Sequence, residues 1–289
     1  MNYIIKNSVL NVEISSLGAE MQSIKKNNIE YLWQGDENTW KNKATNIFPF
    51  VGKMQDGKYI YKGITYEMGS HGFTRYADFT VDKREDEKII FKMTSNNNIL
   101  KNYPFVFDYF IIYELKENTL FITSKVINKD NKKMYFALGG HPGFIAPIND
   151  RLTFDDYYLI FDDICKVNNI KTSSKGLVTH KEQFNLKDDK ILNLSYSLFD
   201  NDALIFENMA KGVTLKTDKD DKSVYVKYEN MPYLGIWQTP KKHPNFICIE
   251  PWTSLPTRDC IIEDIEKQEG LICLDASKEY ENTWSITIN

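Results

Sequence analysis

The sequence of 289 residues has little arginine, little histidine and no basic stripe. Its formal net charge is -4, and its lysines and arginines are scattered along the chain. Because phosphate backbones are bound mainly through clustered cations, this distribution argues against a nucleic-acid partner. No apolar run is long enough to span a bilayer, and the N-terminal segment lacks the pattern of a signal peptide. We therefore expect no membrane partner and a cytoplasmic location.

Cysteine and histidine are also too dispersed to suggest a ligand set. The four cysteines form no C-x-x-C pair, and the four histidines show no H-E-x-x-H spacing. No glycine-rich phosphate loop follows a strand-like segment. The sequence thus predicts reduced thiols, no metal and no cofactor.

What the chain has in quantity is alternation of apolar and polar residues. The period of two recurs in "YIIKNSVLNVEI", "DYFIIYELKENTLFITSKVI" and "TWSITIN", with turns expected at Lys62–Gly63 and Glu117–Asn118. The mixed charge runs "DKREDEK" and "KTDKDDKS" are typical of solvated hairpin ends. Helical signals are short and weak, and no linker divides the chain. These features predict an all-β protein, a mostly antiparallel sandwich, with one domain spanning residues 1–289.

The segment "ALGGHPGF" contains the first candidate for proton transfer, His141. Histidine ionises near neutral pH and therefore suits acid–base chemistry. Gly139 and Gly140 permit close approach of backbone or ligand, and Pro142 is expected to hold His141 extended and to end regular strand pairing. A histidine that caps a turn is the alternative interpretation.

Glu250 in "FICIEPW" is the second candidate. A carboxylate directly after four residues of core-strand character is expected to be partly desolvated, which raises its pKa toward the range of a general base. Pro251 is expected to stop the strand and to leave Glu250 at the mouth of a pocket. The alternative is a structural ion pair with a buried cation. Trp237 and Trp252 are candidates for flat pocket walls.

A second glycine-flanked histidine, His71, lies in "IFPFVGKMQDGKYIYKGITYEMGSHGFTR". This stretch, "LGAEMQSIKKNNIEYLWQGD" before it, and "ALGGHPGF", "DALIF" and "GIWQTP...FICIEPW" after it form an ordered set. The set resembles the aldose 1-epimerase (galactose mutarotase) superfamily, especially its LacX-like bacterial branch, over most of the chain. The resemblance implies the large antiparallel β-supersandwich of that superfamily, in agreement with the strand pattern.

The resemblance also implies an activity, the interconversion of the α and β anomers of a hexose by acid–base ring opening and closing. His141 matches the family's acid, Glu250 its base, His71 a sugar-binding histidine, and Asp202 in "FDNDALIF" a substrate-binding aspartate. Lys53 stands where galactose mutarotases have the arginine of a Pro-x-x-Gly-Arg motif, and the two cations bind oxygens differently. We expect the acid and the base on different sides of the sugar, with the double glycine letting the sugar approach His141.

The substrate is open between two sugars. Arg75 resembles the arginines that grip phosphate in the superfamily's hexose 6-phosphate epimerases, and Lys53 adds a charge. Phosphate capture calls on several convergent donors, and the chain has only four arginines, so an unphosphorylated aldose such as glucose or galactose is favoured. Arg75 in a structural ion pair is a further alternative. Arg258 follows the "EPW" segment and is a weaker candidate for the pocket.

Two other kinds of function compete with an epimerase. The same fold can bind sugar without turnover, and it can carry a polysaccharide lyase or hydrolase. Most hydrolases need two carboxylates across the scissile bond, and the sequence offers no convincing second one.

Overall fold

The computed structural model describes residues 1–289, and most of them form antiparallel strands. In chain order the strands are β1 (Asn2–Lys6), β2 (Leu10–Ser15), β3 (Met21–Lys26), β4 (Ile29–Glu30), β5 (Ala44–Ile47), β6 (Lys58–Tyr61), β7 (Ile64–Glu67), β8 (Thr80–Arg84), β9 (Lys88–Thr94), β10 (Phe107–Lys116), β11 (Thr119–Asn128), β12 (Met134–Phe136), β13 (Gly139–Ile145), β14 (Tyr158–Phe161), β15 (Asn168–Thr172), β16 (Val178–Gln183), β17 (Ile191–Asn193), β18 (Leu204–Glu207), β19 (Gly212–Thr217), β20 (Asp220–Lys227), β21 (Tyr233–Trp237), β22 (Phe246–Trp252), β23 (Ile272–Leu274) and β24 (Glu279–Ile288). One short helix, α1 (Asn97–Asn102), and four 3-10 turns complete the fold.

Two large sheets dominate the architecture. The nine-stranded sheet has the order β17-β14-β19-β20-β24-β11-β10-β9-β8, and the seven-stranded sheet has the order β16-β15-β18-β21-β22-β13-β5. A four-stranded sheet of β1 to β4 and two short ribbons flank them. The antiparallel β-supersandwich predicted from the sequence is confirmed.

The hairpins read from local pattern are confirmed as well. Strands β6 and β7 turn at Lys62 and Gly63, and strands β10 and β11 turn at Glu117 and Asn118. The mixed charge runs fall at the turns between β8 and β9 and between β19 and β20. The short helix α1 was not predicted. It begins after Asn96, whose side chain accepts hydrogen bonds from the second and third residues that follow it.

The main core lies between the two large sheets. The ring of Phe48, just after β5, stacks on Tyr109 of β10 at 4.4 Å between centroids. Gly140 of β13 faces Trp284 of β24 so closely that an added Cβ would lie 2.4 Å from the indole. Gly140 is therefore required for contact between the sheets, which corrects its expected role in admitting a sugar.

Both expectations about strand-ending prolines are wrong. Strand β13 runs through Pro142, which pairs with Ala44 of β5, and strand β22 runs through Pro251 to Trp252. The ladder between β13 and β22 has paired positions at its ends and none at the prolines. A proline lacks the N–H that a ladder needs, so the pairing lapses locally while the strands keep their register.

None of the helices combines the length and apolar character needed to cross a membrane. The four cysteines are free thiols: Cys165 and Cys248 are buried, and Cys260 and Cys273 are exposed.

Candidate active site

The outer face of the seven-stranded sheet carries a row of side chains at one level. Gly139 pairs with Trp252 and Gly143 with Cys248, so the same register places His141 opposite Glu250. On its other side His141 pairs with Thr45 of β5. Because alternate residues of a strand point to the same face, His141 and Glu250 project side by side from neighbouring strands.

The two side chains are in contact. Nε2 of His141 lies 3.2 Å from Oε2 of Glu250, and the side chains are 12% and 2% exposed. Glu250 has no Lys or Arg as an ionic partner, so the structural ion pair considered for it is absent. Adjacent strands fix both groups on one floor, and their placement on different sides of a sugar stays a prediction.

Burial controls the electrostatics of this pair. It raises the pKa of the Glu250 carboxyl well above its ordinary value, and the charge of Asp202 adds to the rise, with Trp252 opposing it. Burial also lowers the pKa of His141 well below its ordinary value, and His71 and Arg75 act in the same direction. Burial thus favours the neutral form of each group.

His71 meets the pair from the loop after β7. Its ring Nδ1 accepts a hydrogen bond from the Gly52 N–H at 3.2 Å, and its backbone N–H donates to the Gly52 carbonyl at 2.8 Å. An accepting Nδ1 places the proton of the neutral ring on Nε2. Burial, followed by the charges of Arg75 and Lys53, lowers the pKa of His71 to about 3. His71 is thus a neutral hydrogen-bond donor.

Aromatic rings enclose His141 on several sides. Trp40 stacks on it at 4.8 Å between centroids, and Trp237 meets it edge-on at 5.6 Å. The Trp237 indole N–H also donates to Asp202 Oδ1 at 2.9 Å, which fixes the carboxylate beside the pocket. Sequence reasoning missed Trp40, which lies in an irregular loop held by a hydrogen bond from the Trp33 indole to the Trp40 carbonyl at 2.8 Å.

Trp252 lies flat across the sheet beside Glu250. A Cβ on Gly139 would approach its ring to 2.8 Å, and one on Gly235 would approach it to 2.7 Å. These glycines stand on the strands to either side of β22. The first member of the "GG" pair therefore accommodates a pocket wall, which corrects the expectation that it admits the sugar.

Two cations reach the same pocket. Arg75 donates from Nη2 to the Ser70 carbonyl at 2.6 Å, and neither Arg75 nor Lys53 forms an ion pair. The structural ion pair considered for Arg75 is therefore absent. Arg258, by contrast, binds Glu263 through two hydrogen bonds of 2.6 and 3.0 Å and does not line this pocket.

One cavity of about 360 Å³ is bordered by the eight main candidates from the sequence: His141, Glu250, His71, Asp202, Lys53, Arg75, Trp237 and Trp252. That volume falls in the range of small-molecule sites. Lining residues that sequence reasoning missed include Trp40, Asn42, Thr45, Ser70, Thr172 and Ile205. Gln238, the residue after Trp237, is buried away from the cavity, and His180 and His243 are exposed elsewhere.

Comparison with known proteins identifies the family. The model of the family described as aldose 1-epimerase matches residues 1–270. The chain belongs to the aldose 1-epimerase family. It is 31% identical over 297 aligned positions to the plasmid and chromosomal LacX proteins of Lactococcus lactis subsp. lactis, covering 98% of each chain. The resemblance noted in the sequence is confirmed, and the chain is an isomerase-type enzyme.

Solved structures of family members superpose closely. A galactose mutarotase related enzyme from Lactobacillus acidophilus has a TM-score of 0.95 at 35% identity, covering 100% of this chain and 97% of that one. A galactose mutarotase-like protein from Lactobacillus casei has a TM-score of 0.95 at 29% identity, with both chains fully covered. The aldose epimerase architecture is thus common to all three chains.

Proposed function

We propose that the protein interconverts the α and β anomers of an unphosphorylated hexose, such as glucose or galactose. The observation that carries the proposal is the 3.2 Å contact between His141 and Glu250 on the floor of a small-molecule cavity. Ring opening removes a proton from the anomeric hydroxyl and gives one to the ring oxygen. Both oxygens are bonded to the same carbon, so an acid and a base standing side by side can reach both.

In this mechanism Glu250 takes the hydroxyl proton and His141 protonates the ring oxygen. In the resting site the proton is on the Glu250 carboxyl. Its transfer to His141, across the contact between the two groups, gives the reactive form, in which Glu250 is charged and His141 is protonated. Sugar hydroxyls that donate to the carboxylate stabilise its charged form. After the ring opens, rotation beside the carbonyl and reclosure present the other face, and the two residues exchange duties.

The remaining predicted residues hold the sugar. His71 offers an Nε2–H donor, and Asp202, fixed by Trp237, offers an acceptor. Trp252 and Trp237 supply apolar surface for the sugar ring, as in many small-molecule sites. The cytoplasmic location expected from the sequence remains a prediction.

A hexose 6-phosphate is the second candidate substrate. The observation in its favour is that Lys53 and Arg75 both border the cavity without a carboxylate partner. Asp202 in the same cavity opposes a phosphate dianion, and only one guanidinium is available for bidentate binding. We therefore retain the unphosphorylated hexose as the first proposal.

Polarimetry of freshly dissolved α-glucose and α-galactose tests the proposal. The parent protein should accelerate equilibration, and His141→Asn should reduce the rate at least about a hundredfold because a positioned proton donor is lost. Binding of the sugar by a folded parent that does not accelerate equilibration would instead establish a sugar-binding protein.

Substrate choice is settled by comparing kcat/KM for glucose and glucose 6-phosphate. We expect a preference for glucose that survives in Arg75→Ala. A preference for glucose 6-phosphate that is lost in Arg75→Ala, but not in the control Arg151→Ala on the exposed surface, would instead establish the hexose 6-phosphate as the substrate.

A further inference from the structure

A third ligating side chain adjoins the catalytic pair. Cys248 lies two residues before Glu250 on β22 and is completely buried. The ligand atoms of His141, Cys248 and Glu250 all lie within 4.8 Å of one another. The proposed epimerase reaction uses no thiol, so Cys248 has no part in it.

Two atoms of this cluster lack the partners that buried polar atoms normally have. Nδ1 of His141 and Oε2 of Glu250 are enclosed without a hydrogen bond. The Glu250 side chain is 2% exposed, and the cavity meets it on the outer face of the sheet. Oε2 of Glu250, one of the atoms that would bind a metal, therefore lacks a hydrogen-bond partner, and the His141 and Glu250 residues border the cavity.

The ligand chemistry fits zinc. Nitrogen, sulfur and carboxylate oxygen are the zinc ligands of proteins, and two such N and O ligands at a tetrahedral angle lie about 3.3 Å apart. The Nε2 to Oε2 distance of His141 and Glu250 is 3.2 Å. Magnesium and calcium prefer sets made entirely of oxygen.

Charge balance also favours a dication at this place. A thiolate and a carboxylate neutralise Zn²⁺, so the occupied site buries no net charge. Asp202 adds attraction from across the cavity, whereas Lys53 and Arg75 on the same cavity oppose it.

We propose that His141, Cys248 and Glu250 form a three-ligand Zn²⁺ site whose fourth position opens to the cavity, and that bound zinc inhibits the enzyme. Zinc and sugar then compete, because the metal binds the lone pairs of His141 and Glu250 that would otherwise accept the proton. The inhibition rests on the proposed function; the binding does not.

Cobalt spectroscopy of the parent protein tests the binding without any assay of activity. Co²⁺ should produce an intense near-ultraviolet thiolate-to-cobalt absorption and the visible bands of a tetrahedral ion, and Zn²⁺ should abolish both. These absorptions should vanish in Cys248→Ser and persist in Cys260→Ser and Cys273→Ser, which remove the exposed thiols. Octahedral cobalt spectra without a thiolate band in the parent would overturn the site.

Zinc affinity and inhibition provide the second test. Loss of an outer-shell partner alone costs about 10–100-fold in metal affinity, so Cys248→Ser should bind zinc at least about tenfold more weakly. The same variant should mutarotate sugar at the parent rate and resist zinc, whereas Cys165→Ser, a buried thiol outside the cluster, should remain zinc-sensitive.

The two proposals fail in different ways. A parent that binds cobalt through the thiolate but leaves anomers unequilibrated refutes the function and keeps the metal site. A parent that equilibrates anomers with equal zinc sensitivity in Cys248→Ser keeps the function and refutes the site.

Discussion

Replacing Glu250 with glutamine removes the proton-transfer group while keeping the size and shape of the side chain. The amide has nearly the shape of the carboxyl, so the packing beside Trp252 and His141 is retained. It cannot accept the anomeric proton. Because a positioned proton-transfer group contributes about 10²–10⁴ in rate, Glu250→Gln should raise the barrier by about 3–5 kcal/mol. Polarimetry with α-glucose measures this loss.

The same substitution should stabilise the fold at neutral pH. Burial raises the pKa of Glu250 above its ordinary value of 4.5, so the folded state holds a proton that the unfolded state releases above that pH. The parent therefore loses stability as pH rises from about 4.5 to the raised pKa, at about 1.4 kcal/mol per pH unit. Glu250→Gln carries no such penalty, and its advantage should disappear below about pH 4.5.

Thermal unfolding from pH 4 to pH 8 tests that prediction, with about 2–4 °C expected for each kcal/mol in a chain of this size. Glu263→Gln is the control, because Glu263 is also buried but is paired with Arg258, and its loss should destabilise the protein. A Glu250→Gln variant that keeps parental activity refutes the assignment of Glu250 as the general base. A variant that is less stable than the parent at pH 8 and more stable at pH 4 refutes the assigned electrostatics.

Four further outcomes follow from the geometry. His71 has a pKa of about 3 in the folded protein, so the parent loses folding stability as pH falls from 6.5, by at most about 1.4 kcal/mol per pH unit. His71→Asn should reduce this dependence of Tm on pH. An unchanged slope of Tm against pH contradicts the prediction. Trp40→Ala removes a ring stacked on His141 and should lower kcat/KM about two- to tenfold in polarimetry, and parental kinetics would exclude a positioning role. Gly140→Ala should destabilise the fold by about 1–3 kcal/mol in denaturant unfolding, whereas Gly69→Ala, with open space around it, should not; equal effects refute the packing argument. A chelator should leave mutarotation unchanged, and activity lost to the chelator and restored by a divalent cation would show a required metal.

Local pattern was sufficient for most of the sheet. Alternation and turn residues act within a few positions, so the hairpin at Lys62 and Gly63 could be placed from its own segment. The candidate residues His141 and Glu250 could also be identified, because each places an ionisable group in an apolar strand. The distance between them could not be predicted, since strand order and register are set by packing between distant segments.

The position of Trp40 in the site could not be predicted from the sequence. It lies in an irregular loop whose own residues carry no period, and it reaches His141 only because Trp33 and Phe246 hold the loop against the sheet. Gly143 is part of the same contact, since a Cβ there would lie 2.8 Å from the Trp40 ring. An aromatic residue in a loop is therefore assigned to a site by its distant neighbours.

The glycines and prolines of this sheet explain why the two motif interpretations failed in the same way. Each was read as acting on its own strand, Gly139 by admitting a ligand and Pro142 by ending the pairing. In the folded sheet each acts on the next strand. Gly139 leaves space for Trp252, and the missing N–H groups of Pro142 and Pro251 leave the ladder unpaired beside His141 and Glu250. The floor of the site is thus shaped by the missing side chain of Gly139 and the missing N–H groups of Pro142 and Pro251. Their effect can be predicted only when the neighbouring strand is known.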